Sequence, residues 1–140
     1  APCEQPSSME MDRKLRRIFV GCRNGLMAVV DADNGRVVTT QPIGKGVDAS
    51  EFDKARGIVY FSTGADGALW VFRQDSPERY TFVETVKTAA GSRTMAVDQK
   101  TGKAYLSAAE FGPRPETAPG APPRRAPMIP GSFSVLIVGE

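Results

Sequence analysis

Histidine is absent from this 140-residue sequence, and its absence removes several chemistries together. No Ser-His-Asp or Cys-His nucleophile can be assembled, no histidine-bearing zinc site, and no imidazole general base. An enzymatic role would have to rest on carboxylates, lysine, tyrosine or a partner chain. Cysteine is limited to Cys3 and Cys22. Charge of one sign is not in excess either: 18 basic against 16 acidic side chains leave a net charge of +2. So weak and mixed a balance argues against nucleic acid or an anionic membrane as partner. No apolar run reaches the roughly 18–20 residues of a membrane helix. Ala1 opens the chain without the charged and apolar regions of a signal peptide, so a soluble, already processed chain is expected.

What is present fits one ordinary globular domain, with 41% hydrophobic and 24% charged residues. Three segments share one phrase, a strand, an Asp-containing turn and a second strand: SSMEMDRKLRRIFVGC, DASEFDKARGIVYFST and SRTMAVDQKTGKAYLSA. Their turn aspartates, Asp12, Asp53 and Asp98, lie 41 and 45 residues apart. That interval is the length of a four-stranded propeller blade, roughly 40–45 residues. A third strand follows in each copy (LMAVVDA, ALWVFRQ and, after an interruption, SFSVLIV), and a fourth in the first two only (RVVTTQPIG and YTFVETVKT). Alternation and β-branched or aromatic residues support strands throughout, and no segment carries a convincing helical period.

The expected fold is therefore an all-β propeller of about three blades, near 7–47, 48–91 and 92–140, the last lacking its outer strand and the ring incomplete. A two-sheet sandwich is the alternative, but it has no reason to repeat this phrase at a fixed interval. Asn34-Gly35 in AVVDADNGRVVTT reads as a two-residue hairpin turn. Tyr60, Trp70 and Phe72 read as packing between blades.

Three stretches carry the look of the YVTN-type β-propeller repeat proteins: RRIFVGCRNGLMAVVDADNGRVVTTQPIGKGVDASEFD, TVKTAAGSRTMAVDQKTGKAYL and PGSFSVLIV. The chain resembles that family over nearly its whole length. The resemblance implies a propeller and a secreted or periplasmic bacterial setting, without implying an activity. Family members carry enough blades to close a ring, and three leave it open.

In a propeller the connections into the innermost strands share one face with the loops between second and third strands. Cys3 and Cys22 then reach the same rim, where a disulfide is sterically reasonable, the alternative being two unpaired thiols. The same face gathers Lys45, Asp48 and Arg93 from the connections, with Ser7 as the third equivalent, and Arg23, Asn24, Asp66 and Glu110 from the loops. These side chains either pair and stay solvated or line a site for a small ligand or peptide at the channel mouth. Residues 112–131 hold seven prolines, which exclude helix and central strand. This stretch is a surface excursion or an arm that docks on a partner through Arg124 and Arg125.

Other signals fail. Asp31–Gly35 begins like a calcium loop, but Pro42 stands where the bidentate Glu belongs. Gly44-Lys45-Gly46 lacks the rest of any phosphate loop. The basic run Asp12–Arg17 reads as a solvated turn. No metal or cofactor is expected. The functional expectation is a non-catalytic extracytoplasmic module that completes a larger propeller or an oligomer, pairing with itself or with blades of a longer parent chain. The alternative is a lactonase-like hydrolase working through Asp48, Asp66 and Glu110 or a bound metal.

Overall fold

The computed structural model describes residues 2–118 and 120–139. Eleven strands succeed one another: β1 (Pro6–Asp12), β2 (Arg17–Cys22), β3 (Leu26–Asp31), β4 (Val37–Pro42), β5 (Val47–Asp53), β6 (Ile58–Thr63), β7 (Ala68–Ser76), β8 (Arg79–Lys87), β9 (Met95–Val97), β10 (Ala104–Ala108) and β11 (Ser134–Val138). They form three antiparallel meanders, β1-β2-β3-β4, β5-β6-β7-β8 and β9-β10-β11. These are consecutive propeller blades, and they do not close a ring. The third has no fourth strand among the described residues, so β11 keeps a free outer edge. No helix among them is long and apolar enough to cross a membrane, which says nothing of β-barrels.

The sheets stack through side chains that alternate along each strand. Phe19, Met27 and Val29 of the first blade meet Phe52, Val59, Phe61 and Phe72 of the second. The Phe19 ring lies 5.2 Å from Phe52 and 5.8 Å from Tyr80, tilted and edge-on, geometries that aromatic pairs favour. On its other flank the second blade presents Ile58, Tyr60, Leu69 and Val71 to Met95, Val97, Ala104, Leu106 and Leu136 of the third. Tyr60, Trp70 and Phe72 thus pack between blades, as their alternating places predict.

The repeated aspartate closes each inner hairpin by capping its turn. One Asp12 carboxylate oxygen accepts the N–H groups of Lys14 and Leu15, one of Asp53 those of Ala55 and Arg56, and one of Asp98 that of Lys100. A side chain that captures the amides two and three residues ahead holds the turn before the strands pair. Gly57 and Gly102 follow at left-handed φ of 66° and 79°, and in the first copy Arg16 occupies the same place at φ 58°.

The Asn34-Gly35 turn differs from its expected form. β3 ends at Asp31 and β4 begins at Val37, so the loop is five residues, not two. Only Gly35 has positive φ, whereas a type I′ turn needs it at both central residues. Asp31 explains the wider loop: its carboxylate accepts the Asp33 N–H and its carbonyl the Gly35 N–H, both at 2.9 Å.

Candidate functional site

Backbone hydrogen bonds brace the connections and loops along one rim of the blades. The Gly64 N–H, between β6 and β7, donates to the Gly46 carbonyl at 3.0 Å, and the Gly91 N–H to the Gly64 carbonyl at 2.8 Å. Gly46 and Gly91 sit at φ 71° and 84°, which glycine adopts without steric cost. In the first blade Gln5 takes that place at φ 50°, and its carbonyl accepts the Arg23 N–H at 3.2 Å. These bonds fix the loops from which the charged side chains project.

Arg23, Gly46, Asp48 and Arg93 bound a cavity of about 230 Å³ on this rim. Each blade contributes: Arg23 from the β2–β3 loop, Asp48 from β5, and Arg93 from the connection into β9. The Arg93 backbone is pinned because the buried Ser62 hydroxyl donates to its carbonyl. Its side chain crosses Gly64, where an added Cβ would stand 2.7 Å from Arg93 Cγ. Arg23 and Asp48 approach at 3.9 Å, the arginine half-exposed and the aspartate partly so, a pairing that contributes little to stability. Arg93 has no ion-pair partner among the described residues.

The other candidates from the sequence are placed around this cavity and not in it. Asp66 accepts the Lys45 N–H and lies over Gly44, where a Cβ would also meet Trp70 Nε1 and Thr63 Oγ1 at 2.8 Å. Lys45 and Asp66 thereby lock two loops together. Asn24 holds the N-terminal segment, accepting the Glu4 N–H and donating to the Pro2 carbonyl. Ser7 donates to the Val47 carbonyl at 2.7 Å, joining the first two blades. Glu110 stands at the root of the proline-rich arm, its carbonyl accepting the Ile129 N–H. The arm is pinched at its base by the Phe111–Met128 bridge. The Phe111 ring lies 3.6 Å from where a Cβ of Gly91 would be, on the connection that carries Arg93. Arg124 and Arg125 are exposed further out, and Pro119 lies outside the described residues.

Cys3 and Cys22 are disulfide-bonded, with Cα atoms 5.3 Å apart. The bridge uses a close approach that the repeat itself creates, because Cys3 and Cys22 correspond to Gly44 and Thr63 one repeat later, which also nearly touch. The disulfide is compatible with an extracellular protein.

A second cavity, of about 650 Å³, opens on the opposite side and was not anticipated. Glu10, Glu51, Phe52, Lys54, Gln74 and Gln99 are among its lining residues. Glu10 and Glu51 each stand two residues before a turn aspartate; this shared repeat position was the signal available in the sequence. Burial, and secondarily the charge of Glu10, raises the Glu51 carboxyl above its ordinary range. Because the folded state then holds that proton more tightly than the unfolded chain, ionising Glu51 opposes folding. The opposition is absent below the unfolded value of about 4.3 and grows as pH rises through the higher folded one. Glu51→Gln is therefore expected to unfold at a higher temperature than the parent at pH 7, with the gap closing towards pH 4. Thermal melts at the two pH values check it, and an equal gap at both would remove the electrostatic cause. Among the described residues no group of three or more Asp, Glu or Cys is placed to hold a metal ion.

No protein-family model matches the chain, and no curated protein matches it. Solved structures do. Hydrazine synthase of Kuenenia stuttgartiensis aligns over 81% of this chain and 32% of its own, at 12% identity and a TM-score of 0.69. The Cps50 (Swd1) β-propeller domain of Myceliophteria thermophila aligns over 73% and 36%, at 10% identity and 0.59. A putative 6-phosphogluconolactonase from Bacteroides uniformis aligns over 88% and 39%, at 15% identity and 0.59. The chain spans little more than a third of these proteins at most, and at such identities the likeness shows the propeller fold alone.

Proposed function

We propose that the chain is a YVTN-type propeller module, periplasmic or secreted, that binds without catalysing a reaction. Its blades divide near 7–47, 48–91 and 92–140, and further blades complete it. Its rim cavity takes an anionic group, the carboxylate of a small ligand or of a peptide side chain. One observation carries this reading: two arginines from different blades converge on the cavity, and its one carboxylate engages Arg23, leaving Arg93 free to recognise an anion. The rigid bracing beneath supports it, since a site held by fixed backbone loses little entropy on binding. The arm rooted beside Gly91 supplies apolar surface through Phe111.

Tetraglutamate and inorganic phosphate, titrated separately and followed by backbone amide shifts, test the reading. Shifts are expected to centre on Gly46, Asp48 and Arg93. Arg93→Ala is expected to weaken binding about tenfold, the loss of one charge-assisted hydrogen bond, while changing stability by less than about 0.5 kcal/mol. Unchanged affinity, or a large stability loss, would show that Arg93 is structural and the site misassigned.

The likeness to the putative 6-phosphogluconolactonase favours a second reading, a lactonase-like hydrolase. Of Asp48, Asp66 and Glu110 only Asp48 lines the rim cavity and none lines the opposite one, where Glu10 and Glu51 would be its carboxylates. Turnover of a sugar lactone, lost in Glu51→Gln, would establish it in place of the binding module.

A further inference from the structure

Residues 112–131 carry charge as well as proline. They hold three arginines, Arg114, Arg124 and Arg125, against one carboxylate, Glu116, while the other 15 basic and 15 acidic side chains of the sequence balance. The formal net charge of +2 therefore resides on this arm. All four side chains are exposed, and none of the three arginines forms an ion pair among the described residues.

The base of the arm is apolar. Phe111 and Met128 face each other in an antiparallel bridge, which sets their side chains on the same side, and they are 53% and 50% exposed. Backbone bonds hold the pair from both sides: the Gly112 N–H donates to the Pro127 carbonyl at 2.8 Å and the Ile129 N–H to the Glu110 carbonyl at 2.9 Å. Blades pack through their flanks, but this apolar pair lies on the rim. The Phe111 ring stands 3.6 Å from where a Cβ of Gly91 would be. Gly91 belongs to the connection from the second blade into the third, and two residues further on Arg93 lines the rim cavity.

We propose that the rim site takes a separate, extended acidic peptide with a large apolar residue beside the acidic one, the acid on Arg93 and its apolar neighbour on Phe111 and Met128. The inference rests on the reading of the rim cavity as an anion site, and it names the partner. A small free anion would use Arg93 and leave the two apolar side chains in water, whereas a peptide covers both. Charge selects its class: carboxylates beyond the apolar residue meet Arg124 and Arg125, whose charge nothing else on the protein offsets.

Calorimetry of the intact chain with three capped pentapeptides is the test: Glu-Glu-Leu-Glu-Glu, Glu-Glu-Ser-Glu-Glu and Lys-Lys-Leu-Lys-Lys. The leucine-bearing acidic peptide is expected to bind about tenfold more tightly than the serine one, the gain from partly burying one leucine, and the lysine peptide is expected not to bind. Phe111→Ser should bring the two acidic peptides to one affinity, and the double variant Arg124→Gln, Arg125→Gln should weaken both. Phe111 is exposed, so an unchanged melting profile would show that its variant folds. Backbone amide shifts of the parent make the same test without mutation, reaching Phe111 and Met128 with the leucine peptide only. Equal affinity of the two acidic peptides would overturn the inference and leave the rim a plain anion site. A leucine advantage that survives Phe111→Ser would overturn its placement on the arm. Binding of neither acidic peptide would overturn the anion reading as well. A thymidine pentanucleotide bound as tightly as the leucine peptide would overturn the proposal in favour of nucleic acid.

Discussion

Asp53→Ala is expected to lower unfolding free energy by about 3 kcal/mol, a fall of roughly 10 °C in melting temperature for a chain of this size. Asp53 is fully buried at the foot of the central blade. One carboxylate oxygen accepts the Ala55 and Arg56 N–H groups at 3.0 and 3.2 Å, and the other accepts from the Arg56 guanidinium at 3.0 Å. Alanine strands two turn amides and releases Arg56, whose guanidinium also donates to the Lys100 carbonyl of the next blade. The loss therefore spreads from one turn to an interface. Asp53→Asn keeps an acceptor for the amides and is expected to cost about half as much. Denaturant titrations of the three proteins decide the matter, and a loss under about 1 kcal/mol for alanine would mean that strand pairing alone holds the turn.

Cys3→Ser is expected to cost a comparable amount, about 3 kcal/mol. The bridge spans 19 residues of sequence, and in the chain-entropy view closing a loop of that length removes about this much freedom from the unfolded state. The loop encloses β1 and most of β2, so the variant loses a staple across the innermost hairpin of the first blade. Cys22 is fully buried and tolerates being a free thiol, behaving there as a small apolar side chain. Parent protein in reductant should melt with Cys3→Ser, and reductant should leave the variant unchanged. Coincident melts of oxidised parent and variant would show that hydrogen bonds such as Asn24 to Pro2 already anchor the N-terminal segment. The rim cavity is expected to suffer with the bridge, because Arg23 directly follows Cys22.

Local regularities made the scaffold legible from sequence alone. The strand, Asp-turn, strand phrase is complete within about twenty residues, so alternation and the capping aspartates announce each inner hairpin without reference to the rest of the chain. Their interval of 41 and 45 residues then supplied the blade, and the blade placed Cys3 beside Cys22. The same reasoning put Arg23, Asp48 and Arg93 on one rim, because each lies at a fixed offset from an inner strand. Where a local signal had two outcomes it misled: Asn34-Gly35 carries the residues of a tight turn, but hydrogen bonding by Asp31 selects the wider loop.

Only the tertiary structure decided which of these groups meet. Asp66 and Lys45 were indistinguishable from Arg93 in sequence, yet the absence of a side chain at Gly44 lets Asp66 close down on the Lys45 amide, while Gly64 leaves room for Arg93 to cross towards the cavity. Glu10 and Glu51 share a repeat position, but the packing of two blades is what brings their charges within reach and buries one of them. The exposure of Val135 and Ile137 is likewise invisible in a pattern that reads the same as buried Leu69 and Val71. The physical reason is common to all three. Hydrogen-bond capping and strand alternation act over a few residues and leave their mark on the chain, whereas burial, cavity shape and ion pairing depend on which flank meets another, a contact between segments some forty residues apart.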